Sequence, residues 1–157
     1  MYLKSLQISS KNEVIRNIDF HNGLNLIVDN TPPKSNKIQT GNNVGKTTVL
    51  KLIDVCFGAN PRIVYQDTED KNKEYITVRN YLQENNVSVL LELIDSFENP
   101  ATHISIIRNF LQRTKAIRMI NGEQILDKDF ETTLLNLFFT EVVYNKPTFR
   151  QIISHNN

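Results

Sequence analysis

The stretch Thr40-Gly41-Asn42-Asn43-Val44-Gly45-Lys46-Thr47-Thr48 lies between two apolar segments of different pattern. Before it, the run Leu24-Asn25-Leu26-Ile27-Val28 predicts a buried strand. After it, apolar residues recur at helical spacing from Val49 to Phe57. A strand, a glycine-containing loop and Gly-Lys-Thr at the start of a helix together form the context of a phosphate-binding P-loop. The alternative is a loop that carries these residues by chance.

The residue types in this stretch suit a polyphosphate. The first backbone N–H groups of a helix are unpaired and lie at the positive end of its dipole, and Gly45 lets the backbone approach a ligand closely. We expect Lys46 to reach the β- and γ-phosphates and the Thr47 hydroxyl to bind Mg²⁺. Thr48 can donate a further hydrogen bond on the α-phosphate side. The sequence therefore predicts a nucleotide site with magnesium.

The loop departs from the usual pattern G-x-x-x-x-G-K-S/T at its first position, which falls on Thr40. If Gly41 is taken as the first glycine instead, the spacer is one residue short for wrapping the β-phosphate. We therefore place Thr40 first, with Gly41 relieving the same turn one residue later. Asn42, Asn43 and Val44 complete the predicted binding loop.

The composition is that of one domain or of part of a larger one. With 157 residues, 39% of them apolar, the chain can form a core. Its 18 basic and 17 acidic residues argue neither for nor against nucleic acid as a partner. The single cysteine, Cys56, lies on the apolar face of the predicted helix and is expected in the core. Met1 leads into a strand pattern without a signal peptide, and no apolar run is of membrane-spanning length, so we expect a cytoplasmic protein with no membrane partner.

The rest of the chain predicts an antiparallel sheet with a few helices. Residues 2–8 and 14–20 predict a β-ribbon that leads into the nucleotide site. The later strands of the predicted antiparallel sheet, which would flank the P-loop core, are residues 87–95, 103–111, 116–120 and 123–125, with Asn121-Gly122 as a hairpin turn. Helices are predicted for residues 76–84 and 130–140, and the P-loop helix should end near Gly58. The charged residues 66–74 predict a solvated, mobile linker, and residues 29–39 an inserted loop.

Three segments together resemble a known family. They are Met1-Tyr2-Leu3-Lys4-Ser5-Leu6-Gln7-Ile8, residues 18–28, and Asn43-Val44-Gly45-Lys46-Thr47-Thr48 with Leu50, Ile53 and Asp54 after it. They resemble the N-terminal lobe of SMC-like ATPase heads, which are ABC-type P-loop ATPases of chromosome maintenance and DNA-break repair. The specific likeness spans residues 18–57.

The resemblance implies an α/β fold: a P-loop NTPase (ABC ATPase-like) N-terminal lobe with an antiparallel β-subdomain. Residues 1–60 would hold the β-ribbon, P-loop strand and P-loop helix, and residues 61–157 the β-subdomain, a helix and the lead-in to a coiled coil. The implied ligands are ATP and Mg²⁺. The implied partners are a C-terminal lobe that carries the Walker B acid and signature loop, a second head in an ATP-dependent dimer, and DNA.

Two residues acquire roles from this resemblance alone. Gln151 falls about where a family glutamine contacts the metal and the attacking water. Lys11 is the basic residue nearest to the position of a family arginine that reaches the nucleotide. The alternatives are that Gln151 begins the coiled coil and that Lys11 is an ordinary surface residue.

Other functions remain open from the sequence. Asp95 ends an apolar run, but that run alternates like a half-exposed antiparallel strand, so we do not assign Asp95 as the magnesium-holding acid. The isolated chain should therefore hydrolyse almost no ATP, and it could instead be a non-hydrolysing interaction module. The cations Arg108, Arg113, Lys115 and Arg118 could bind DNA or form a solvated face. A kinase or GTPase fits less well, because antiparallel strands follow the loop.

Overall fold

One antiparallel sheet organises the part of the chain that the computed structural model describes, residues 1–28, 45–67, 69–70 and 72–139. Within these ranges the fold is mixed α/β. The sheet order is β2-β1-β3-β4-β5-β6, with β1 (Tyr2–Ser9), β2 (Val14–Asp19), β3 (Ser88–Ile94), β4 (His103–Asn109), β5 (Arg118–Ile120) and β6 (Glu123–Gln124). The α-helices are α1 (Lys46–Cys56), α2 (Ile76–Glu84) and α3 (Asp127–Phe138), and short 3-10 turns span Pro61–Val64 and Arg113–Lys115.

The sheet forms because its strands alternate apolar and polar residues, and strand alternation places every second side chain on one face. Leu91 of β3 lies opposite both Leu6 of β1 and Ile106 of β4, and all three side chains are fully buried. The predicted antiparallel strands are therefore confirmed, with ends that differ by a few residues. The N-terminal hairpin and the later strands belong to the same sheet because β1 pairs with both β2 and β3.

The turn between β5 and β6 confirms the predicted hairpin. Asn121 and Gly122 both have left-handed backbones, with φ of 51° and 85°. Two successive positive φ values define the type I′ turn, whose twist matches that of paired strands. Asn121 also exchanges two hydrogen bonds with Ser105 of β4. Its N–H donates to the Ser105 carbonyl at 2.8 Å, and its Oδ1 accepts the Ser105 N–H at 2.9 Å.

The helices cover the apolar face of the sheet. Residues from all three helices join one hydrophobic cluster with the strands: Leu52 and Cys56 of α1, Leu82 of α2, and Phe130 and Leu134 of α3. Burial raises the pKa of the Cys56 thiol to about 12, so this cysteine is an inert core residue, as predicted. Helix α1 ends next to Gly58, which has φ of 99°, as the sequence indicates. None of the helices in the described ranges is long and apolar enough to cross a bilayer.

The prediction of a buried strand at residues 24–28 is wrong. These residues adopt no regular secondary structure, and the exposed fractions of Leu24, Leu26 and Val28 are 75%, 71% and 65%. Strand β1 already has a neighbour on each side, so it offers this segment no free edge. The inserted loop at 29–39, the loop residues 40–44 and everything after residue 139, including Gln151, lie outside the described residues.

The charged linker at residues 66–74 is more structured than its sequence predicts. Asp67 Oδ1 accepts the N–H groups of Glu69 and Asp70 at 2.8 and 3.0 Å, and its Oδ2 accepts the Tyr75 hydroxyl at 2.8 Å. Glu74 then forms ion pairs with both Arg62 and Arg79. Polar side chains can close a loop on themselves in this way, which composition alone does not reveal.

Candidate nucleotide-binding site

Helix α1 begins at a backbone conformation that favours glycine. Gly45 is the residue before the first helical turn and has φ of 76° and ψ of 15°. Its carbonyl accepts the Val49 N–H at 3.1 Å, the first hydrogen bond of the helix. A Cβ at Gly45 would meet nothing within 4 Å, so the backbone angle, and not lack of space, requires glycine here.

The first turn of α1 is unusual in its charge. Its residues are Lys46, which is half-buried, and Thr47 and Thr48, which are exposed. Among the described residues no side chain caps this turn, and none of the residues in the turn is acidic. Carboxylates are favoured at this position because they offset the helix dipole, whereas a lysine is disfavoured. An anion bound at the helix start would reverse this penalty, since it would pair with both the N–H groups and the lysine.

Helix α3 provides an internal comparison. Its first turn carries two carboxylates, Asp127 and Asp129, which complement the dipole in the ordinary way. The two helices are similar in length, with 11 residues in α1 and 12 in α3. The two helices therefore differ in the charge of their first turn.

The structure brings together four of the predicted site residues. Gly45, Lys46, Thr47 and Thr48 are consecutive at the start of α1, where the sequence placed them. The other loop members, Thr40, Gly41, Asn42, Asn43 and Val44, lie outside the described residues, as does Gln151. The roles predicted for those six residues stay predictions.

Lys11 lies in the turn between β1 and β2. Its N–H donates to the carbonyl of Asn85, the residue after α2, at 3.1 Å. Ser9, at the end of β1, pairs with Ser88 of β3. Arg108 of β4 lies at this same end of the sheet and contacts the last turn of α1. Lys11 is thus near the sheet end that meets the C-terminal part of α1, and its nucleotide contact stays a prediction.

Within the described ranges, no group of three or more His, Cys, Asp or Glu residues could hold a metal ion. Asp95 follows β3, and its Oδ1 accepts the N–H groups of Ala101 and Thr102 at 3.0 and 3.1 Å. The hydrogen bond from the Thr102 N–H is the main cause that holds the pKa of Asp95 below its ordinary value. This carboxylate closes the β3–β4 loop.

Three of the four cations that could bind DNA differ widely in exposure. Arg108 is only 5% exposed, and its guanidinium lies over the Phe130 ring, 4.6 Å from the centroid. Arg118 is half-buried and lies beside Asp127. Lys115 is exposed. Arg108 therefore does not belong to a solvated face, because strand alternation turns it toward the core, and DNA contact stays a prediction.

Sequence reasoning missed a polar cluster on the opposite face of the sheet. Ser5 Oγ donates to Glu92 Oε2 at 2.6 Å, His103 Nε2 lies 3.1 Å from Glu92 Oε1, and Lys4 Nζ lies 3.7 Å from Glu92 Oε2. The Ser5 hydrogen bond is the main cause that lowers the pKa of Glu92. The serine bonds the carboxylate and not the histidine, so this is no nucleophile triad. Only the strand register, with Ser5 opposite Glu92, could have identified the cluster.

Comparison with known proteins adds no family to this description. No protein-family model matches the chain, and no curated protein matches it. The functional proposal therefore depends on the start of α1 and on the motif resemblance.

Proposed function

We propose that this chain is the ATP-binding N-terminal lobe of an SMC-like ATPase head. The observation that carries the proposal is the start of α1, where a left-handed Gly45 precedes a first turn of Lys46, Thr47 and Thr48 that no described side chain caps. A helix start of this kind offers backbone N–H groups and the positive end of the helix dipole, and the first residue of the helix is a lysine, which suits a polyphosphate. ATP as the nucleotide comes from the family resemblance.

Each residue of the turn has a separate role in the proposal. In this proposal Lys46 neutralises phosphate oxygens as a compact charge, and the hydroxyl of Thr47, an exposed residue, enters a magnesium shell. Thr48 is exposed one residue later and can donate to a phosphate oxygen nearer the nucleoside. Bound Mg²⁺ would supply charge that offsets the phosphates. Thr40, Gly41, Asn42, Asn43 and Val44 are assigned to the rest of the loop by the motif.

The exposed apolar segment before the predicted binding loop is, in this proposal, covered by a partner surface. Leu24, Leu26, Ile27 and Val28 are between 44% and 75% exposed, and Leu50 of α1 is 60% exposed. Burying one such side chain is worth roughly 1.5–3 kcal/mol, so a surface that covered this segment would bind it strongly. A C-terminal lobe of the same head is the occupant that the resemblance implies, and a second head and DNA are its further implied partners.

Hydrolysis is expected only in the assembled head. Among the described residues, the acid closest to a Walker B position, Asp95, is engaged in a loop. The 157-residue chain should bind Mg-ATP weakly and turn over almost none. A non-hydrolysing module is the second candidate, and turnover after addition of a C-terminal lobe separates the two.

The deciding experiment is calorimetric titration of the chain with Mg-ATP and, in parallel, with Mg-GTP. We expect Lys46→Ala to weaken binding by at least about tenfold, the loss expected for one charge-assisted contact. Lys51→Ala is the matched control, because Lys51 is also a half-buried lysine of α1 but lies more than one turn further along. Its affinity should equal that of the original chain.

Equal affinities for the original chain and Lys46→Ala would refute the proposal, as would the absence of binding to either nucleotide. Preference for Mg-GTP would leave a phosphate site but contradict the family assignment. Rapid turnover by the chain alone, abolished in Lys46→Ala, would contradict the need for a second lobe.

A further inference from the structure

We propose that a second anion site lies at the other end of α1, where Arg108 and Arg118 bind a compact oxyanion, a phosphate or carboxylate group. A cavity of about 400 Å³ opens there between the end of α1 and strands β4 and β5. Its lining includes both arginines and the polar side chains of Asn60, Gln112 and Asp127. The proposal is independent of the nucleotide site.

Arg108 is a buried cation whose hydrogen bonding is incomplete. Arg108 is only 5% exposed, and its Nη1 donates a hydrogen bond to the Val55 carbonyl at 3.0 Å. Its guanidinium also lies over the Phe130 ring. Its Nε is buried and has no hydrogen-bond partner among the described residues. A buried charge normally has a charged partner and full hydrogen bonding, because desolvation is costly.

Arg118 increases the local positive charge. It pairs directly with Arg108 across β4 and β5, so the two side chains share one face. Like charges directly opposite in a sheet destabilise it unless something separates them. Burial, and then the charge of Arg118, lowers the pKa of Arg108 from its ordinary value. An anion between the two guanidinium groups would relieve both the repulsion and the unpaired Nε.

Asp127 neutralises this charge only in part. Its Oδ1 lies 2.7 Å from Arg118 Nε and forms an ion pair with it. The Asp127 side chain is 81% exposed, so water weakens its attraction. Two cations thus face one exposed carboxylate. The Val55 carbonyl explains Arg108 as a cap of the last turn of α1, but it leaves the Arg108 Nε without a hydrogen-bond partner among the described residues.

The site is separate from the start of α1. A helix of 11 residues is about 16 Å long, and Val55 is at its far end from Gly45. A ligand held by Arg108 therefore cannot contact Lys46 unless it spans the helix. Inorganic phosphate and acetate are both too small to do so.

The test uses the arginine Nε–H signals of the ¹⁵N-labelled 157-residue chain, titrated with sodium phosphate, sodium acetate and sodium chloride at matched ionic strength. We expect phosphate, acetate or both to shift the Arg108 and Arg118 signals saturably, and chloride to leave them unchanged. The tighter of the two ligands identifies the preferred oxyanion. Arg118→Gln should weaken binding by roughly tenfold or more, as loss of a charged hydrogen-bond donor predicts.

Two variants control for charge and for location. Arg16→Gln removes an exposed arginine of β2 and should leave the affinity unchanged. Lys46→Ala removes the proposed nucleotide lysine and should also leave these shifts unchanged. If Arg118→Gln fails to fold, Gln112→Leu replaces it, because Gln112 lines the same cavity without being buried in the core. That change should weaken binding several-fold.

Absence of saturable shifts in the original chain would overturn the proposal without reference to any variant. An affinity in Arg118→Gln equal to that of the original chain would also overturn it. A loss of affinity in Arg16→Gln as large as that in Arg118→Gln would overturn it too, because it would indicate non-specific attraction to positive charge. Loss of the shifts in Lys46→Ala would assign the anion to the nucleotide site instead.

Discussion

At the scale of single residues, Gly45 connects backbone conformation to the proposed phosphate site. Its φ of 76° costs an L-residue about 1–2 kcal/mol, and the space around its Cβ position is open. We therefore expect Gly45→Ala to lower the free energy of unfolding by about 1–2 kcal/mol, measured by urea denaturation. Gly45→Asn is the control and should cost less, because asparagine tolerates left-handed angles and caps helices well. Equal stability of both variants and the original chain would contradict the left-handed entry to α1.

Glu92 gives a prediction for pH dependence. The Ser5 hydrogen bond, and then Lys4 and His103, hold its folded-state pKa below the ordinary value of 4.5. The ionised form is thus favoured by folding, so its contribution to stability is present above pH 4.5 and is lost as the pH falls through the lowered pKa. We expect Glu92→Gln to destabilise the chain by about 1–2 kcal/mol at about pH 7 and by much less at about pH 3.

Urea denaturation at both pH values measures this difference. The control is Glu13→Gln, in the exposed turn between β1 and β2, where the side chain should contribute little at either pH. A constant difference between Glu92→Gln and the original chain across this range would show that ionisation of Glu92 is not coupled to folding.

At the scale of elements, Asn121 combines two functions in the β5–β6 turn. It adopts φ of 51°, and its Oδ1 accepts the Ser105 N–H at 2.9 Å. Asn121→Gly should lose only the hydrogen bond, about 1 kcal/mol, whereas Asn121→Ala should lose it and add left-handed strain, for about 2–3 kcal/mol in total. Asn121→Asp should stay close to the original chain, because it keeps the acceptor and the tolerance for this φ. Thermal unfolding measures the order of stability of the three variants. Equal losses of stability in Asn121→Gly and Asn121→Ala would contradict the predicted left-handed strain in the alanine variant.

The elements also show why sequence predicted much of the fold. Strands β1 to β4 alternate clearly, and the Asn121-Gly122 turn fixes the register of the last hairpin, so both are visible in local sequence. The helix predicted at residues 76–84 agrees with α2 as observed. Residues 24–28 were misassigned because an apolar run indicates that burial is favourable but does not identify the partner that provides it.

The candidate site was predictable in part for a different reason. Lys46, Thr47 and Thr48 are contiguous, so the motif places them together without knowledge of the fold. Arg108 and Arg118 are not contiguous, and their juxtaposition depends on the register of β4 and β5. A charged pattern on a strand usually indicates a solvated face, and here the same alternation directs Arg108 inward. Sites formed by distant residues therefore required the structure.

At the scale of the whole molecule, the main asymmetry is between a well-packed sheet and an exposed apolar segment. The side chains of Leu6, Leu91 and Ile106 have no exposed surface, while Leu24 and Leu26 are largely exposed a short distance along the chain. Exposed leucines contribute little to the stability of the chain that carries them, because their environment barely changes on folding. Burial of these leucines in a complex would add free energy that folding of the chain does not provide.

This distinction leads to a prediction with two matched leucines. Leu26→Ser should change the free energy of unfolding of the isolated chain by less than about 0.5 kcal/mol, because Leu26 is 71% exposed. Leu91→Ala, at a fully buried position, should cost about 2–5 kcal/mol. Urea denaturation measures both. When a C-terminal lobe is supplied, Leu26→Ser should weaken its binding by about tenfold or more, since the lost apolar contact is formed only in the complex. A large loss of stability in Leu26→Ser alone would mean that this segment is buried within the chain in solution, and the need for a second lobe would lose its physical basis.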